Sequence, residues 1–148
     1  MKKKAGLILL IVILALAAGI TVYLVSFLFL PMRDYRKAEA LARENQFDEA
    51  AEGFAAISGK YDLGGRLAAL GGFADAAERV PEMGYEKGSY LREQGDYEGA
   101  AAAYEELGDY KDSPDQIKNT RLAEADARIS ESDFETAISL LTELGEYD

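Results

Sequence analysis

The feature that most constrains this chain is an uninterrupted apolar run near its start. From Leu7 to Leu30 the sequence reads LILLIVILALAAGITVYLVSFLFL, 24 residues without a charge. Wound as an α-helix at 1.5 Å per residue the run is about 36 Å long, enough to cross a hydrocarbon core of about 30 Å with some tilt. Lys2, Lys3 and Lys4 precede it, and Pro31, Arg33, Arg36 and Lys37 follow it. A cleaved signal peptide is the competing reading, because Ala15-Leu16-Ala17 has the small-x-small form of a cleavage site. The apolar residues continue for 13 positions past Ala17, so cleavage there would leave a hydrophobic stub. Length therefore favours an uncleaved anchor. The expected division is a basic tail over 1–6, a transmembrane helix over 7–30 held in the lipid bilayer, and a separate domain over 31–148. Arg33, Arg36 and Lys37 nearly balance the N-terminal lysines, but a short basic tail translocates poorly. The expectation is a single-pass protein of the cell membrane with its C-terminal domain on the extracytoplasmic side.

The composition of that domain removes several functions. The chain has no Cys, His or Trp, so disulfides and thiolate or imidazole metal sites are excluded. Residues 31–148 hold 13 basic and 27 acidic side chains, a net charge of −14. A domain this acidic repels phosphate backbones, and no nucleic-acid partner is expected.

The same residues repeat. NQFDEAAEGFAAI (45–57), GGFADAAERVPEM (71–83), GDYEGAAAAYEEL (95–107) and SDFETAISLLTEL (132–144) align without gaps. In each, an aromatic is followed at +3, +7 and +10 by Ala and two larger apolar residues. The quartets are Phe47/Ala50/Phe54/Ile57, Phe73/Ala76/Val80/Met83, Tyr97/Ala100/Tyr104/Leu107 and Phe134/Ala137/Leu141/Leu144. Those offsets put four side chains on one face of a helix, and the small +3 residue suits close helix approach. Turn segments follow each quartet (SGKYDLGG, MGYEKGS, LGDYKDSP and LGEYD), with glycine where a helix C-cap is expected. A second apolar stripe precedes each quartet, so the unit reads as a helix hairpin that buries its face only by stacking on a neighbour. The units run over about 33–58, 61–84, 85–108 and 114–145.

QGDYEGAAAAY (94–104) resembles the second half of a tetratricopeptide repeat, with its Gly-polar-Tyr bend before an Ala-x-x-x-aromatic helix. LGDYKDS (107–113) is similar to the repeat ends of many bacterial tetratricopeptide-like proteins. The resemblance implies an all-α fold: a transmembrane helix followed by an irregular tetratricopeptide-like α-solenoid. It is irregular because successive aromatics lie 26, 24 and 37 residues apart, whereas the family repeats every 34. Pro81 is expected to end or kink the second unit's helix, and Ser113-Pro114 to open a long one with Ser as its cap.

Function follows as binding. Without His or Cys the usual nucleophile–base pairs cannot form, carboxylate pairs such as Glu105/Glu106 read as solvated helix faces, and no calcium or phosphate loop is present. Neither an enzyme nor a cofactor is expected. In the family the first helices line a concave groove that takes a protein or peptide, and the resemblance carries this to Tyr35, Arg43, Tyr61, Tyr85 and Arg92. For the three tyrosines, however, a structural role in the core or at a seam is the favoured reading, since a Tyr at helical spacing in a repeat is usually packed. Ile138 and Leu140 lie off the fourth quartet's stripe, where terminal repeats normally present a polar face. They mark a surface for a partner or for self-association through the C-terminal helix. Two readings stay open: a membrane-anchored interaction scaffold, and a structural subunit of an envelope assembly.

Overall fold

In a computed structural model of the chain, residues 2–60, 69 and 71–145 are described. Their elements are α1 (Lys2–Leu24), a π-helical segment (Val25–Phe29), α2 (Leu30–Arg43), α3 (Phe47–Lys60), α4 (Ala76–Glu93), α5 (Tyr97–Glu105), α6 (Ser113–Ser130) and α7 (Phe134–Gly145). The described residues are all-helical, without strands. The apolar N-terminal helix is long and apolar enough to cross a membrane, and its apolar window is unburied by the rest of the chain.

The apolar run does not end where the domain begins. α1, the π-helical segment and α2 form one unbroken helix as far as Arg43. Pro31 explains the π geometry between them. Its ring collides with the carbonyl four residues back and it has no N–H to donate. Just before it the ladder widens, and the Leu30 N–H reaches Val25 O, five residues back.

Three bends then repeat one geometry. Asn45, Gly95 and Ser132 have φ of 59°, 81° and 66°. In each, the N–H of the following residue reaches a carbonyl five back: Gln46 to Leu41, Asp96 to Leu91 and Asp133 to Arg128, at 3.0, 2.9 and 2.8 Å. This is the Schellman motif, which satisfies carbonyls left open at the helix end. The next helix starts at once, on Phe47, Tyr97 or Phe134. Asp96 accepts from Gly99 N–H at 2.9 Å and Asp133 from Thr136 N–H at 3.3 Å, as N-caps do.

The resulting pairs, α2/α3, α4/α5 and α6/α7, share their interior. Small residues nine before and three after the bend aromatic are buried in all three: Ala38/Ala50, Gly88/Ala100 and Ala125/Ala137. Larger residues meet edge-on, Tyr35 against Phe54 at 5.1 Å and Tyr85 against Tyr104 at 5.4 Å. Most packing is between successive helices. Phe54, wholly buried, contributes on the order of 2–3 kcal/mol of transfer free energy.

The second unit departs from the expected hairpin. Its first stripe, with Tyr61, falls on residues 61–68 and 70, outside the described residues. Phe73 lies ahead of α4 rather than at its first turn, because the positive φ falls on Gly72, one position later than in the other bends. The boundary expected at 84/85 is absent: α4 runs unbroken through Pro81 and across MGYEKGS. Pro81 costs the bond to Ala77 O without ending the helix. Gly84 and Gly88 are not caps; neither has a positive φ. A Cβ on Gly84 would lie 2.9 Å from Leu107, and one on Gly88 2.8 Å from the Tyr104 ring, so Gly88 makes room for α5 and Gly84 for the turn after it. The long helix α6 begins at Ser113, but its N-cap is Asp112, and Ser113 Oγ instead donates to Tyr110 O at 2.6 Å.

Candidate functional site

The sequence-derived groove residues do not form one surface. Tyr35 is only 8% exposed, its ring against Phe54 and its hydroxyl donating to Asp75 Oδ1 at 2.8 Å. Burial first, then the bond to Asp75, pushes its pKa up to about 12. Tyr35 is thus packed in the core of the first hairpin and is not presented to a partner. Arg43 is exposed in the last turn of α2, where a cation complements the helix C-terminus. Tyr61 lies outside the described residues.

Tyr85 and Arg92 are brought together, but to join hairpins. The Tyr85 hydroxyl donates to Asp112 Oδ1 at 2.7 Å, and Arg92 Nη1 donates to Gln116 Oε1 at 2.7 Å. Gln116 Nε2 returns to Asp112 Oδ2 at 2.9 Å. Lys111 Nζ sits 4.9 Å from the Tyr85 ring centre and 5.2 Å from that of Tyr110. The bond from Tyr85, followed by that from Gln116, holds the Asp112 carboxyl below its ordinary range. Asp112, Lys111 and Tyr110 were not among the candidates, although the LGDYKDS phrase contains all three. Its meaning is a clasp between α4 and α6.

The fourth quartet supplies what the groove does not. Phe134 and Leu141 occupy the places of Phe47 and Phe54, yet Phe134 is 59% exposed where Phe47 is 8%, and Leu141 is also exposed. Leu122 and Leu141 stand where Tyr35 and Phe54 pack in the first hairpin, and Leu122 and Ile129 of α6 are exposed as well. Ile138, 64% exposed, lies one turn from both Phe134 and Leu141. Among the described residues no helix covers this side of α7. Phe134 and Leu141 were missed because their stripe reads as core; only the loss of cover turns it into a surface.

Leu140 lies elsewhere. It is half-buried and lines a cleft of about 380 Å³ with Ile117, Lys118, Arg121 and Leu144. Ile138 and Leu140, paired in the sequence reading, thus serve different sides of one helix. Exposed Asp126, Glu131 and Glu135 lie on or beside the apolar stripe of α6 and α7, and Arg128 is paired with Glu124 and Glu131 at 3.6 and 3.2 Å. Among the described residues no group of three or more acidic side chains is arranged to hold a metal ion. Set against protein-family models, curated proteins and solved structures, the chain matches none.

Proposed function

We propose that this chain is a single-pass membrane protein whose tetratricopeptide-like hairpins hold a protein partner beside the bilayer. The carrying observation is the exposed apolar face of Phe134, Ile138 and Leu141 on α7, joined by Leu122 and Ile129 of α6. A contiguous apolar surface of this kind marks an interaction site more often than scattered exposure does. The likeness of its residues to the buried interior of the first hairpin supports a helix as the covering element. Asp126, Glu131 and Glu135 favour a partner that flanks its apolar stripe with Lys or Arg. The anchor reading draws support from the length and exposure of α1. An extracytoplasmic domain, with Lys2, Lys3 and Lys4 kept on the cytoplasmic side, is part of the proposal. No catalytic role is assigned.

The same exposure serves a second reading, an envelope subunit that stacks on its own copy. Two acidic flanks would then face each other, which disfavours it. A photo-crosslinking residue in place of Ile138, in intact membranes, separates these. An adduct with a distinct protein, absent when the crosslinker replaces Glu44, supports the scaffold. An adduct of twice the 16.1 kDa chain supports the subunit. No adduct above the Glu44 control removes both.

A further inference from the structure

The apolar run is longer than the stretch that lipid can reach. Side chains from Leu7 to Val25 are exposed, whereas Ser26, Phe27, Leu28 and Leu30 are half-buried and Pro31 is buried. The exposed stretch is 19 residues, about 28 Å of helix, and matches the hydrocarbon core by itself. Tyr23 sits near its end, its ring tilted against that of Phe27 with centres 4.9 Å apart, where an aromatic marks the lipid–water boundary. Past Val25 one side of the helix turns to the domain, through Phe27, Leu28 and Leu30, while Phe29 on the other side stays exposed. Leu28 Cδ1 lies 3.2 Å from where a Cβ of Gly71 would be, so the bend ahead of α4 rests against the neck of the anchor.

We infer that the repeat domain has no stalk and lies with its 71–75 bend in the lipid headgroup layer. Leu28 is about 5 Å along the helix from Val25, and the headgroup layer is about 5–7 Å deep on each side. The Schellman bends point the other way. α2 carries Asn45 away from the membrane over about 20 Å, and α3 returns. Charge follows the same polarity. Arg33, Arg36 and Lys37 are exposed on the first turns of α2, while residues 38–148 hold 10 basic against 26 acidic side chains. Arg33, about 12 Å along the helix from Val25, lies within side-chain reach of the lipid phosphates, Arg36 and Lys37 stand a turn further out, and the acidic remainder faces water. The unbroken helix fixes this attitude, since no loop separates anchor from domain.

This inference rests on the reading of α1 as a membrane span, and the test separates the two. The chain is free of cysteine, so single cysteines at Ala15, Ala74, Glu78 and Glu44 can each carry a fluorophore in phosphatidylcholine vesicles. Lipids bearing a nitroxide on the acyl chain or on the headgroup serve as quenchers, with helix content matched to the parent by circular dichroism. The span reading expects Ala15 to be quenched from the acyl chain. The inference expects the Ala74 probe to lose most of its emission to the headgroup quencher, the Glu78 probe less, and the Glu44 probe none. Quenching at Ala15 with none at Ala74 or Glu78 overturns the inference and keeps the span. No quenching at Ala15 overturns both.

Discussion

The Tyr35 hydroxyl donates to Asp75 across 2.8 Å although the two residues are 40 positions apart. Tyr85 repeats the contact with Asp112 at 2.7 Å. In both, a tyrosine twelve residues before a bend aromatic holds the residue at the N-cap of a later helix, Asp75 for α4 and Asp112 for α6. These bonds fasten the first helix of a hairpin to the segment that follows the hairpin.

The bond predicts a cost for losing the hydroxyl. Tyr35→Phe removes a hydrogen bond to a carboxylate and should destabilise the detergent-solubilised chain by about 1 kcal/mol in urea unfolding. Tyr85→Phe, on a more exposed bond, should cost less. Equal stability of Tyr35→Phe and the parent would mean that the contact contributes nothing.

Alkaline pH tests the same contacts without mutation. Unfolded tyrosine ionises near 10, whereas Tyr35 and Tyr85 are held up to about 12 in the fold. A raised pKa of this kind gives stability that is complete below pH 10 and lost as pH rises toward 12. Asp112 and Asp133 act at the other end. Their lowered pKa values give stability present above about pH 4 and lost as pH falls through the depressed values. The unfolding midpoint should therefore fall between pH 10 and 12, and the double variant Tyr35→Phe, Tyr85→Phe should flatten that fall.

Ser132 stands at φ 66° in a bend where Gly95 serves the equivalent place. An L-residue there is strained by roughly 1–2 kcal/mol, which glycine avoids. Ser132→Gly should raise stability by about 1 kcal/mol, and Gly95→Ala should lower it by a similar amount, both read from thermal unfolding.

Two helical glycines should respond in opposite directions. Gly59→Ala meets nothing within 4 Å and should gain up to about 1 kcal/mol of helix propensity. Gly88→Ala puts a Cβ 2.8 Å from the Tyr104 ring, which is wholly buried, and should lose about 1–3 kcal/mol. Gains at both sites would show that α4 and α5 are not in close contact.

Much of this was legible in the sequence because its signals are local. The apolar run defines the first helix by length, the spacing of Phe47, Ala50, Phe54 and Ile57 defines a buried face, and the pairs Gly95-Asp96 and Ser132-Asp133 carry their bends. What was not legible depends on neighbours. Gly84 and Gly88 look like turn residues until Leu107 and Tyr104 are seen to need their space. Tyr35 looks like an interface anchor until Phe54 and Asp75 enclose it. Phe134 looks like core until, among the described residues, no helix is found over it. The π segment before Pro31 belongs to the same class, since the sequence shows the proline but not whether the helix stops or widens.

The most direct test of the binding claim is Ile138→Asp in the full chain in its own membranes. The side chain is exposed, so the proposal predicts an unfolding midpoint within about 0.5 kcal/mol of the parent. A charge at the centre of the face should at the same time abolish the adduct formed by a crosslinker placed at Phe134. A variant that keeps the same adduct, or whose stability falls with it, would contradict a partner seated on α7.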